Sequence, residues 1–293
     1  MRRVLSLLLA AAPLFAQTED DRLRALRDLL VPLRGHPHER IETRGATAQL
    51  TVVKHQLRDW IESRLSALTP RDDPAVLARQ LNQALKQGKL FCDDSSDETR
   101  CPEDSLLGFL DEIHIEMPLR ALLVVRTAVG IEICGVDESA YAYQWSGNRW
   151  QRFWESEQND YSEKKYLPQL LTKVTISSTN YDAGADKSEH LLLTLGRNPW
   201  CSSNWQPIYY RVWQTRAADP QPRLLLDEMD YAYLGSDVLE ASLSPNDVLI
   251  EYAVGSIDSG VHNRREVRHY VINRGAIERI DPIVLSPRDF ADT

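Results

Sequence analysis

The sequence predicts a mainly β protein: propeller-like antiparallel β-meanders, about three four-stranded units, preceded by an amphipathic helical region. Three observations predict it. Apolar residues at helical spacing fill the chain up to Gly88. Short runs of Val, Ile, Tyr and Trp, separated by Gly, Asn, Asp and Pro, take over after residue 105. Those runs return in the same order at a period of roughly 60–67 residues, the layout of propeller blades.

Residues 1–16 read as a signal peptide. Arg2 and Arg3 give a positive start, Val4 to Ala12 is an almost unbroken apolar run, and Pro13-Leu14-Phe15-Ala16 leads into polar sequence. The apolar run is shorter than the roughly 20 residues of a membrane span. An exported chain, periplasmic or extracellular, with no membrane span after cleavage is the expectation.

Residues 17–90 form the helical region. Leu23 to Leu30 is one short helix. Ala46 to Leu68 sets Leu50, Val53, Leu57, Trp60, Ile61 and Leu65 on one face, and Pro70 stops it. Asp73-Pro74 has the form of an N-cap with proline at the first helical position, and Gly88 that of a C-terminal stop.

Residues 91–293 form the β region. Its first strands are Phe109 to Met117, Leu171 to Ser178 and Val238 to Leu243. Its second strands are Leu122 to Val125, Leu191 to Leu193 and Val248 to Ile250. Aromatic third strands follow at Tyr141–Trp145, Tyr209–Trp213 and Val267–Val271. The fourth are Trp150–Trp154, Leu224–Leu226 and Ala276–Ile280. Three blades fall short of the usual minimum of about four, so packing as a sandwich is the alternative.

Composition narrows the partners. The full chain carries 34 Lys and Arg against 43 Asp and Glu, with 43% hydrophobic and 26% charged residues. This is globular composition with an acidic balance, and it contains no basic block longer than Arg264-Arg265. Nucleic acid is excluded as a partner on that ground. An envelope protein or a glycan remains.

Four cysteines in an exported chain are read as disulfides, and four allow three pairings. Cys92 and Cys101 bracket a short polar loop, which leaves Cys134 with Cys201. In the chain-entropy model such a small loop is worth about 2–3 kcal/mol.

The aromatic hairpin with Trp145, Trp150 and Trp154 is the first binding candidate, since exposed rings stack on sugars and other flat ligands. Strict alternation would put Trp150, Arg152 and Trp154 on one face and Phe153 on the other, and a buried role for one face is the competing reading. The acidic loops offer weak calcium candidates in Asp93, Asp94 and Asp97 and in Asp182 and Asp186, without helix-loop-helix spacing. Asp258 and His262, in a polar Gly-rich loop, are the candidate catalytic pair of a hydrolase. No nucleophile-elbow pattern and no cofactor motif accompany them. The pattern therefore favours a non-catalytic binding or interaction module of the cell envelope. The alternatives are a secreted hydrolase acting on an extracellular polymer and a structural component of an envelope assembly.

Overall fold

The structure, a computed structural model, describes residues 18–34, 47–92, 108–132, 135–159, 170–178, 189–197, 205–216, 219–233, 239–254, 264–273 and 275–280. Residues 1–16, expected from the sequence to be a signal peptide, lie outside them. Among the described residues three α-helices come first: α1 (Glu19–Leu30), α2 (Thr47–Leu65) and α3 (Pro74–Gln87). Thr18 caps α1 through its hydroxyl, and Asp73 caps α3 by accepting from the Ala75 amide. Pro74 opens α3 and Gly88 closes it, as the sequence requires.

Twelve strands follow in three antiparallel four-stranded meanders. Sheet A holds β1 (His114–Leu119), β2 (Leu122–Glu132), β3 (Gly135–Ser146) and β4 (Arg149–Ser156). Sheet B holds β5 (Leu170–Ser178), β6 (Glu189–Arg197), β7 (Trp205–Arg216) and β8 (Asp219–Tyr233). Sheet C holds β9 (Leu239–Leu243), β10 (Asp247–Val254), β11 (Arg264–Asn273) and β12 (Ala276–Ile280). Among the described residues every strand pairs only with its sequence neighbours, so each sheet is a simple meander.

Period-2 alternation sorts side chains into layers. In β2, Leu123 and Val125 join α1, α2 and α3 in one core, while Leu122 and Val124 meet sheet B through Val174, Ile176 and Leu192. Sheet B turns its other face, with Leu191, Leu193 and Ile208, onto Val248, Ile250 and Tyr252 of sheet C. The order is helices, sheet A, sheet B, sheet C. The far face of sheet C bears the exposed Leu249, Val267 and Ile280.

The first strand is shorter than its apolar pattern implies. Leu110 makes only isolated bridges, to Phe91 and Val129. The Asn82 side chain of α3 then takes both backbone groups of Ile113, donating to its carbonyl at 3.0 Å and accepting from its amide at 2.8 Å. Gly108, Phe109 and Asp111 still bond to Gly130 and Ala128 of β2, but the regular ladder begins only at His114.

Candidate binding surface

Trp145, Trp150 and Trp154 are the predicted binding residues that the structure describes; Trp150 and Trp154 are buried and Trp145 is half-buried. Trp154 is 1% exposed and packs edge-on to Trp213 of sheet B at 6.4 Å. Trp150 is buried against the helices and donates its indole N–H to the Leu68 carbonyl at 2.9 Å. Trp145, half-buried, packs edge-on to Trp150 at 5.3 Å.

Placing Trp150 and Trp154 on one face needs correction. Trp145 opposes Trp150 and Tyr143 opposes Arg152, but Ala142 opposes Trp154, so Phe153 is an extra residue in β4. This bulge reverses the phase. Trp150 and Arg152 face the helices, where Arg152 meets Glu62 at 3.0 Å; Phe153 and Trp154 face sheet B.

Of the cysteines, Cys92 is described and is disulfide-bonded. Cys101, Cys134 and Cys201 lie outside the described residues, and so does the pairing. Asp93, Asp94, Asp97, Asp182, Asp186, Asp258 and His262 lie outside them as well. Among the described residues, no group of three or more His, Cys, Asp or Glu is arranged to hold a metal ion, and no helix is long and apolar enough to cross a membrane.

The buried charges of the described residues serve the joints between layers. Lys54 of α2 and Asp137 of β3, each 1% exposed, meet at 2.8 Å. Arg58 of α2 reaches Glu157 at 3.3 Å, and the Tyr141 hydroxyl donates to the same carboxylate at 2.6 Å. Between sheets A and B, Glu138 accepts from Arg126 at 3.2 Å and from the Leu171 amide at 2.7 Å. Burial nevertheless dominates and pushes the Glu138 carboxyl up to about 7.

One cluster fixes strand β8. Arg268 of β11 grips Asp230 with two bonds of 3.0 Å, from Nε and Nη2. The Tyr210 hydroxyl donates to Asp230 at 2.7 Å and lies 3.1 Å from the Tyr270 hydroxyl. Partial burial favours the neutral acid, but the bonds from Arg268 and Tyr210 outweigh it and hold Asp230 below the usual carboxylate range. This fork ties β8 of sheet B to sheet C.

On the opposite face of the same strand pair, the rows Trp205–Tyr233, Pro207–Tyr231 and Tyr209–Met229 lie side by side. Trp205 and Tyr233 contact ring to ring at 5.6 Å. Tyr209 is only 8% exposed and forms the floor, whereas Met229 and Tyr231 are 48% and 53% exposed. The same face carries Trp213, which sheet A covers; toward Tyr231 the face is open. Met229 and Tyr231 directly flank Asp230 in sequence, so the ledge stands on a strand anchored from behind. Tyr, Trp and Met are the residue types enriched where proteins bind one another.

The sequence reading missed this ledge because it ended the fourth strand of sheet B at Leu226. The signal was present in Met229-Asp230-Tyr231-Ala232-Tyr233, whose alternation of large apolar with small or polar residues continues the strand for one more stretch. Comparison with protein-family models and with curated proteins found no match to this chain.

Proposed function

We propose that this chain is an exported, non-catalytic binding module of the cell envelope, and that the Trp205–Tyr209–Met229–Tyr231–Tyr233 ledge is its contact surface. The observation that carries the reading is the exposure of Met229 and Tyr231 on a strand held by the Arg268–Asp230 fork. Large apolar side chains on a rigid element give contact area at low entropic cost. Of the titratable groups between the layers, Lys54, Asp137, Glu138 and Asp230 are paired within the fold and His190 is buried beside Phe153, which favours binding over catalysis.

In this reading the three meanders are blade-like units stacked face to face, with the helices covering the first. The stack supports it: sheets A and B share one apolar layer and sheets B and C another. The signal-like residues 1–16 support export, and export in turn supports pairing Cys92 with Cys101 and Cys134 with Cys201.

A thermal-shift screen of oxidised wild type and Tyr231→Ala against envelope glycans and peptides tests the function. A ligand at 100 times its Kd adds about 2.7 kcal/mol, enough to raise Tm by a few degrees. Wild type should respond and Tyr231→Ala should not. Equal responses would remove the ledge from the account.

A further inference from the structure

We propose that the open edge of β8 between Leu226 and Tyr233 takes up an extended peptide as a fifth strand of sheet B. The peptide carries apolar or aromatic residues on one face and Lys or Arg on the other. The proposal deepens the ledge reading and rests on it.

In chain order the three sheets finish on β4, β8 and β12, and these three of their six edges are protected unequally. Strand β12 has five residues, with Glu278 and Arg279 exposed on it. Strand β4 has eight, is broken by the bulge at Phe153 and bears Arg149, Arg152 and Glu155. Short length, bulges and charge are the usual protections of an edge. Strand β8 has 15 residues; its prolines, Pro220 and Pro222, and a register shift at Leu225 crowd into the first half, while in the second half two of its three carboxylates, Asp227 and Asp230, are neutralised by Arg211 and Arg268. From Leu226 to Tyr233 it pairs with β7 residue for residue, and no proline or basic residue interrupts it. Among the described residues no strand lies on its other side. Those outward backbone groups are the template that strand addition uses.

Side chains on this stretch specify the occupant. Toward the ledge, Asp227 is taken by Arg211 at 2.7 Å, which leaves Met229 and Tyr231 to meet the incoming strand. On the reverse face Asp230 is taken by Arg268, while Glu228 is exposed and has no ionic partner among the described residues. An alternating strand therefore finds apolar surface on one side and an exposed carboxylate on the other. The acidic balance of the whole chain, −9, acts in the same sense. A second copy fits less well, because antiparallel pairing of two β8 edges puts Glu228 and Asp230 of both copies on one face.

The test uses the full oxidised chain and a capped decapeptide alternating Lys with Tyr or Val, read by fluorescence anisotropy. Controls are the same peptide with alternate amides N-methylated on each edge in turn, and one with Glu in place of Lys. The variants Tyr231→Ala and Glu228→Lys are at exposed positions and should keep the wild-type Tm. Binding should fall at least about tenfold on N-methylation of one edge and on Tyr231→Ala. Glu228→Lys should reverse the preference between the Lys and Glu peptides. Binding that survives N-methylation of either edge but is lost in Tyr231→Ala overturns strand addition and leaves the ledge reading intact. Binding indifferent to Tyr231→Ala overturns both. No binding up to millimolar peptide, or a concentration-dependent dimer abolished by Tyr231→Ala, overturns the peptide as occupant.

Discussion

Glu138 gives the joint between sheets A and B a pH dependence that Glu138→Gln should remove. The side chain is 5% exposed, and its oxygens are met by Arg126 and the Leu171 amide. Its pKa rises from 4.5 to about 7 because desolvation exceeds what those bonds return. At about 1.4 kcal/mol per unit, the difference between the folded and unfolded chain is about 3 kcal/mol. Between pH 4.5 and 7 the folded protein holds the Glu138 proton more firmly than the unfolded chain does. Its contribution is therefore complete below about pH 4.5 and is lost as pH rises through 7. Glutamine keeps an acceptor for the Leu171 amide without the charge. Urea unfolding of wild type and Glu138→Gln at several pH values from 4.5 to 8 isolates the effect from other titrations. The variant should gain on wild type by up to about 3 kcal/mol across that window. Stability curves that run parallel would show that Arg126 keeps Glu138 ionised throughout, and would refute the reasoning.

His190 supplies the opposite slope in the same joint. It is 4% exposed, stacks near Phe153 at 5.0 Å, and finds no hydrogen-bond partner for either ring nitrogen among the described residues. Burial lowers its pKa from 6.5, so its contribution is present above pH 6.5 and is lost as pH falls through the lowered value. His190→Phe should flatten that acid limb in thermal melts between pH 4 and 7 and gain about 1 kcal/mol at neutral pH by removing unpaired polar atoms. Trp154→Ala should cost about 3–5 kcal/mol in urea unfolding, because it empties the layer between the sheets, whereas Tyr231→Ala should stay within about 0.5 kcal/mol. Deleting residues 17–88 uncovers the face of sheet A that bears Leu123, Val125, Tyr141 and Tyr143. The remaining chain should elute as aggregate on size exclusion, and a monodisperse product would show the helices to be dispensable.

Much of the fold was legible in the sequence because its cues are local. All twelve strand runs overlap observed strands, the first only over His114–Met117, and the Asp73-Pro74 start and Gly88 stop of α3 are where cap chemistry puts them. What could not be read depends on pairing. The bulge at Phe153 exists only in register with β3, and Trp-Gln-Arg-Phe-Trp alternates acceptably without it. The helix-facing role of Trp150 needs Leu68, more than 80 residues earlier, as its acceptor. The Asp230 fork needs Arg268 from another sheet. The ledge was half legible: its alternation is in the sequence, but its exposure follows from how far sheet A reaches along sheet B.

The central claim is that Met229 and Tyr231 form the surface through which this protein meets its partner. A photo-reactive phenylalanine analogue placed at residue 231, with a matched protein carrying it at the also exposed Leu249 on sheet C, tests that in the producing cell. Adducts of discrete mass from position 231 and not from 249, suppressed by Met229→Glu in the same chain, are the predicted result. Equal labelling from both positions, or none from 231, would contradict it.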